Sequence, residues 1–377
     1  MKKKKIVIAS DSFKGTLSSL DICHLFRDKL SKNNDISPLF LPIADGGEGS
    51  LEALSYAVEG RFAEVEVTDL YFNKIKASFY IDKDNNAYIE AASSVGLGLA
   101  KKDNDPGLVT TYGLGEQIRK AIELGSKNIY LFLGGSASND GGVGLASALL
   151  TKFYNKDNQE YIPTGLTLKD ITHIDNHETL ELLNGINLIA LSDVASPFYG
   201  KEGAAYKFAP QKGASSEEVV LLDEGLQHLS SIIKRDLGID ISTTPGTGAA
   251  GGLGGGLVAF ANASIKSGIN ALLDIIHFDA AIKDADYVIS GEGKLDKQTL
   301  DGKVIDGIAK RCLKQNKDLL IIVGVSEIPF EEVNSKYPCI KHIYETNEKH
   351  LPFEDIKANA LDDYIKQIDK LLADYLD

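Results

Sequence analysis

Six short, mostly apolar runs recur along the chain, and they limit its possible folds more than any other feature. They are IVIA (Ile6 to Ala9), PLFLPI (Pro38 to Ile43), IYLFL (Ile129 to Leu133), LIAL (Leu188 to Leu191), YVIS (Tyr287 to Ser290) and LLIIV (Leu319 to Val323). Runs this short, without polar alternation, read as strands covered on both faces, as in a parallel sheet. Helical stripes lie between some of them. Leu17, Leu20, Phe26 and Leu30 form one, with Ser18 and Asp21 placed as a capping pair, and Leu361, Ile365, Ile368 and Leu372 form another. Strand and helix in alternation predict an α/β fold.

The style changes between Phe62 and Glu90. FAEVEV alternates with period two, and IKASFYI and AYIE flank the polar turn DKDNN as an antiparallel hairpin would. At 377 residues the chain is also longer than one core comfortably serves. The expectation is two domains. A doubly wound Rossmann/flavodoxin-like parallel sheet spans 1–65 and 286–377, and a mixed α/β domain with glycine-rich loops, 66–285, is inserted between them.

The residues just past the apolar runs are unusual. IVIA leads into Asp11, Ser12, Lys14 and Gly15, and PLFLPI leads into Asp45, Gly46, Gly47, Glu48 and Gly49. IYLFL leads into Gly134, Gly135, Ser136 and Asn139, LIAL into Asp193, and YVIS into Glu292, Lys294 and Asp296. Ligands of open α/β sheets bind beyond the carboxyl ends of the strands. Any one of these loops could be a plain turn, and Asp21 and Asp140 could be plain caps. Five together point to one polar cleft.

Gly246 to Gly256 holds seven glycines in eleven residues, including a literal G-x-G-x-x-G at Gly246, Gly248 and Gly251. A dinucleotide fingerprint needs a strand directly before it, whereas here ISTTP precedes it and Pro245 suits no central strand. The protein-kinase H-R-D and D-F-G motifs are absent, as is a Walker A frame around Lys294 or Lys303. What this run shares with ADGGEG and GGSASNDGG is an exposed main chain, which can present N–H groups to an anion. Gly251 and Gly252 join Gly134, Gly135, Ser136 and Asn139 as candidates for that role. The alternative, a close contact packed by glycine, stays open.

The net charge of −14 argues against sequence-independent binding to nucleic acid or anionic membrane, and no stretch approaches the roughly 20 apolar residues of a membrane span. MKKKK is followed by too short an apolar run for a signal peptide and reads as the solvated start of a first strand. Cys23, Cys312 and Cys339 are far apart and fit reduced, buried thiols in a cytoplasmic protein. His173 and His177 have i, i+4 spacing without a third ligand nearby.

Carboxylates beside anion loops call for a cation between them. Mg²⁺ takes one or two carboxylates plus water and phosphate oxygens, and Asp45 and Glu48, flanked by glycines, suit it. Lys14 and Lys294 suit anionic groups. An anion cradle, Mg²⁺, lysine and a carboxylate base are the parts of phosphoryl transfer, so the chain reads as an ATP-dependent kinase of a small molecule. Asp193, Asp296, Asp45 and Asp11 are candidate bases. Asp193 is favoured, since it follows a buried strand and Pro197 stiffens its loop.

In order, IASDSFKGTLSS, PIADGGEGS, GGSASNDGGVG, FAPQKGA, GTGAAGGLGGG and SGEGKLDKQT resemble the blocks of the bacterial glycerate kinases, across essentially the whole chain. The resemblance implies phosphorylation of D-glycerate by ATP with Mg²⁺, the 2-phosphate favoured, in a cleft between two α/β domains. Members usually carry proline at the position of Ser10 and Asp-Asn at Ala195 and Ser196. The second departure removes a carboxylate near Asp193 and weakens a metal site there. Two other classes remain open, a two-lobed anion-binding protein and a 2-hydroxy-acid dehydrogenase. The expected partner is a small molecule, without nucleic acid or membrane, and a homo-oligomer is compatible with the sequence.

Overall fold

The computed structural model describes residues 3–31, 33–44, 46–47, 49–297 and 299–376. By backbone contacts the chain divides into two compact units, one of 1–45, 52–58 and 269–377 and the other of 46–51 and 59–268.

The first unit is built on five parallel strands: β1 (Lys4–Ile8), β2 (Ile36–Phe40), β3 (Tyr287–Leu295), β4 (Asp318–Ser326) and β5 (Ile340–Glu345). Their order across the sheet is β5-β4-β3-β1-β2, the flavodoxin-type arrangement 2-1-3-4-5 whose switch point lies between β1 and β3. Strand β4 explains the central position. Leu319 to Val323 are all fully buried, as a strand covered on both faces requires. Pro38 falls in β2, an edge strand, where its missing N–H breaks no interior ladder.

One apolar layer of this unit gathers Ile6, Ile8, Ile289, Leu320 and Ile322 with Ile22 and Phe26 of the helix Ser19–Leu30 and Tyr364, Ile368 and Leu371 of the helix Ala360–Tyr375. The first helix starts where expected. Asp21 N–H donates to Ser18 Oγ at 3.1 Å and Ser18 N–H to Asp21 Oδ2 at 2.9 Å, a capping box worth about 1 kcal/mol. In the C-terminal helix the buried stripe is rotated from the expected one. Leu361 is exposed, and Tyr364 and Leu371 take the inner face with Ile368.

The second unit carries a six-stranded sheet ordered Ser264–Lys266, Asn187–Leu191, Asn128–Phe132, Ala87–Glu90, Lys74–Asp82, Gly60–Thr68. The first four are parallel and the last two antiparallel, so the sheet is mixed as expected, and the hairpin over DKDNN pairs Tyr80 with Tyr88. Gly60–Thr68 pairs along its whole length with Lys74–Asp82, and a boundary at 65/66 would cut that strand. Segment 269–285 groups with the first unit, ahead of a boundary at 285/286.

Three elements of this unit lie outside the expectations above, although the last of them carries a capping-box signal. They are a small antiparallel sheet (Lys152–Tyr154, Glu160–Tyr161, His173–Asp175), the strand Ser264–Lys266, and the 22-residue helix Ser216–Leu237, itself capped by Ser215 and Glu218. All three cysteines are buried and free. Among the described residues no helix is long and apolar enough to cross a membrane.

Candidate functional site

In the first unit the ends of β1 and β3 open into a cavity of about 300 Å³. The ladder runs to its floor: Ala9 N–H donates to Ile289 O at 2.8 Å and Asp11 N–H to Gly291 O at 2.9 Å. GEGKL is not a loop after β3 but its last residues, with Glu292 paired to Val323 and Lys294 to Val325. Glu292 and Lys294, two apart on a strand, therefore share a face. Both line the cavity with Asp11, Ser12, Lys14 and Lys303, against an apolar wall that includes Phe13, Leu17, Phe353 and Ile356.

The charges in this cavity are strongly coupled. Glu292 is 6% exposed, and its Oε1 has no hydrogen-bond partner among the described residues. Burial pushes its carboxyl up to about 8. The Thr299 hydroxyl and Lys303 oppose the rise, and Asp11 and Asp296 add to it. For Asp296, burial alone would act upward, but the Thr299 N–H bond to Oδ1 at 3.0 Å, Lys303 and Lys294 outweigh it and hold the group below the usual range. Lys294 is half-exposed, with Nζ 3.0 Å from Glu327 Oε1 and 3.7 Å from Asp296 Oδ2, and both carboxylates raise its pKa. Lys14 is exposed at the cavity.

The second unit has its own strand-end pocket, of about 180 Å³. Gly134, Gly135 and Ser136 line it beyond Asn128–Phe132, and Ser192 and Val194 beyond Asn187–Leu191. Asp193 lies between those two residues, and Ser267 Oγ donates to its Oδ1 at 2.7 Å. Gly134 is required by a chain crossing: a Cβ there would come within 2.6 Å of Gly47 Cα, and Gly134 N–H donates to Gly46 O at 3.2 Å. Asn139 is fully buried with both side-chain polar atoms unpartnered among the described residues, and it does not line the pocket. Asp140 is a cap within the fold, accepting from Thr111 N–H, Thr111 Oγ1 and Gly142 N–H at 2.7–3.0 Å.

The glycine run lies beneath both loops. A Cβ on Gly251 would stand 2.1 Å from Ser138 O, one on Gly248 2.1 Å from Pro197 O, and one on Gly256 2.4 Å from Gly141 O. Gly141 N–H donates to Gly251 O and Gly248 N–H to Ser196 O, each at 3.0 Å. A Cβ on Gly252 would stand 2.9 Å from both Gly141 Cα and the Phe198 ring. These glycines are accounted for by chain packed on chain, the alternative to anion binding at Gly251 and Gly252. The helix begins at Leu253, inside the run, and Gly254, Gly255 and Gly256 are its first buried turn.

Asp11, Ser12, Lys14, Glu292 and Lys294 thus meet in one unit with Asp296 beside them, while Gly134, Gly135 and Ser136 meet in the other beside Asp193. Asp45 and Glu48, expected at a metal, lie outside the described residues. The i, i+4 histidines make different contacts: His173 pairs with Asp236, and His177 is exposed beside Glu181. Lys303 and Lys212 emerge as site residues from the structure alone. Their available signals are position, one after GEGKLDKQTLDG and the other inside FAPQKGA.

Comparison with known proteins gives the family. The glycerate kinase family model matches residues 6–375. The chain belongs to the glycerate kinase family. It is 38% identical over 338 residues to a glycerate kinase of Bacillus cereus (strain ATCC 10987 / NRS 248), covering 88% of each chain. To the glycerate 2-kinase of Escherichia coli (strain K12) it is also 38% identical, covering 85% of each. A crystal structure from Salmonella typhimurium LT2 assigned as glycerate kinase 2 superposes with a TM-score of 0.83 at 35% identity, covering 99% of this chain and 98% of that one. Family membership makes the chain a kinase, and the α/β fold is shared with that structure.

Proposed function

We propose that the chain transfers the γ-phosphoryl group of ATP to D-glycerate, yielding 2-phosphoglycerate. The observation that carries this is the cavity at the ends of β1 and β3. There Lys14, Lys294 and Lys303 meet Asp11 and Glu292 beside an apolar wall. Lysines suit the phosphates and the wall suits a flat base, at the place where flavodoxin-type sheets bind ligands. Glycerate as acceptor and its 2-hydroxyl as target are supported by the names of the relatives.

The donor set fits Mg²⁺. A buried carboxylate oxygen of Glu292 without a hydrogen-bond partner among the described residues, on a group whose ionisation Asp11 makes costlier, is what a hard cation would relieve. Asp11 and Glu292 would hold it, with Asp45 and Glu48 as further proposed ligands. The ion would supply charge neutralisation on the nucleotide phosphates. Lys14 and Lys294 then hold the phosphate charge, and Asp193 receives the proton of the attacking hydroxyl. The cytoplasm, where ATP is available, is the compartment this reading expects.

The test is a coupled assay of ADP release with D-glycerate, with and without EDTA, and identification of the product by phosphorus NMR. Turnover that needs both glycerate and Mg²⁺ is expected. ATP and metal present without turnover would leave a binding protein as the better reading. Replacing Lys294 or Lys14 with Met is expected to raise the Michaelis constant for ATP or lower kcat by at least about tenfold, roughly 1.4 kcal/mol of lost transition-state interaction. Unchanged kinetics in either variant would return that lysine to the solvated surface.

A further inference from the structure

Lys212 is the least expected side chain in the second unit. It is 4% exposed, and its Nζ donates to the Ser138 carbonyl oxygen at 2.7 Å. No carboxylate stands within ion-pair distance of it among the described residues. The charged group that acts on it is Asp140, whose oxygens are already occupied by Thr111, Gly142 and Gly144. An ammonium group taken out of water without a counter-ion is costly, and folds retain one chiefly where something else supplies the negative charge. Lys212 also lines the pocket formed by Gly134, Gly135 and Ser136, next to the loop of Asp193.

The pocket's size narrows the ligand. About 180 Å³ is below the usual range for drug-sized or nucleotide-sized molecules but ample for a three-carbon acid. Leu133, Val194, Phe208 and Ala249 give it apolar walls, and Lys212 is the one cation lining it among the described residues. We infer that this pocket is the subsite for the carboxylate of the acceptor acid and that Lys212 is the group that recognises it. The inference rests on the glycerate reading above and adds to it the residue that selects an acid over a neutral polyol.

A pH signature follows. Burial pushes the Lys212 ammonium down to about 7, with Asp140 pulling partly back. Glycerate stays ionised above pH 5, so binding then requires a proton on Lys212 that the free protein progressively loses as pH rises through 7. The dissociation constant for D-glycerate is expected to rise by up to about tenfold per pH unit above that point, one proton being taken up per ligand bound.

Isothermal titration calorimetry tests this with D-glycerate, its neutral amide D-glyceramide, and ATP, from pH 6 to 9. The wild-type protein is expected to prefer glycerate to the amide. Lys212→Met is expected to weaken glycerate by at least about tenfold, flatten the pH dependence, lose the preference and bind ATP unchanged. Lys212→Gln, polar but uncharged, should behave alike and covers a folding defect of the Met variant, which a melting curve would reveal. Glycerate affinity and pH slope retained in both variants would overturn the role of Lys212 while leaving the kinase reading intact. No glycerate binding to the wild-type protein at any pH would overturn both.

Discussion

Replacing Asp193 with Asn is expected to lower kcat by about 10²-fold or more, while ATP binds as before. The substitution keeps the shape of the side chain and removes its capacity to accept a proton, and general-base catalysis contributes about 10² to 10⁴. The structure supplies reasons for a rigid placement. Asp193 follows the strand Asn187–Leu191 by two residues, and Ser267 Oγ holds its Oδ1 at 2.7 Å. Its loop is pinned by Gly248 N–H on Ser196 O at 3.0 Å. Positioning of this kind matters because a base must lie within hydrogen-bond reach of the hydroxyl it deprotonates. Asp296 is the weaker candidate, since both its oxygens are engaged, Oδ1 by the Thr299 N–H and hydroxyl and Oδ2 by Lys294 Nζ at 3.7 Å, and these contacts hold it below the usual carboxylate range. Normal turnover in Asp193→Asn together with a large loss in Asp296→Asn or Asp11→Asn would move the base to the first unit.

Gly251→Ala is expected to destabilise the protein by about 3 kcal/mol or more, equivalent to a melting temperature lower by about 6–12 °C for a unit of this size. Two effects add. Gly251 has φ +71°, a left-handed conformation that costs a residue with a Cβ about 1–2 kcal/mol. The new Cβ would also stand 2.1 Å from Ser138 O and 2.8 Å from Asn139 Cα, both backbone atoms that cannot swing aside. Denaturation by guanidinium measures the loss. The experiment also separates the two readings of the glycine run. A loop kept open only to present N–H groups to an anion would lose no more than the roughly 1–2 kcal/mol of the left-handed conformation and would lose affinity as well. A folded variant with a loss no larger than that, and with weakened anion binding, would therefore restore the anion-binding reading.

Much of the fold was legible because its signals are local. The run LLIIV announces a strand buried on both faces, and Ser18 with Asp21 announces a helix start, since each depends on neighbours a few residues away. The same holds for the hairpin around DKDNN. The small sheet Lys152–Tyr154, Glu160–Tyr161, His173–Asp175 escaped because strands of two or three residues carry no periodicity. The stripe on Ala360–Tyr375 was displaced because Tyr364 is apolar enough to fill the core and polar enough to be passed over.

By itself, then, the sequence determined the α/β class, the strand ends that carry polar residues, and, through its ordered blocks, the family. Only the tertiary structure decided which of those residues meet. It extended β3 through GEGKL and so put Glu292 and Lys294 on one face. It set the 246–256 glycines against backbone oxygens of two other loops, a contact between segments more than a hundred residues apart in the case of Gly251 and Ser138. It also buried Lys212 beside a glycine-lined pocket. Burial and long-range backbone contact depend on the whole packed chain, and no window of sequence contains them.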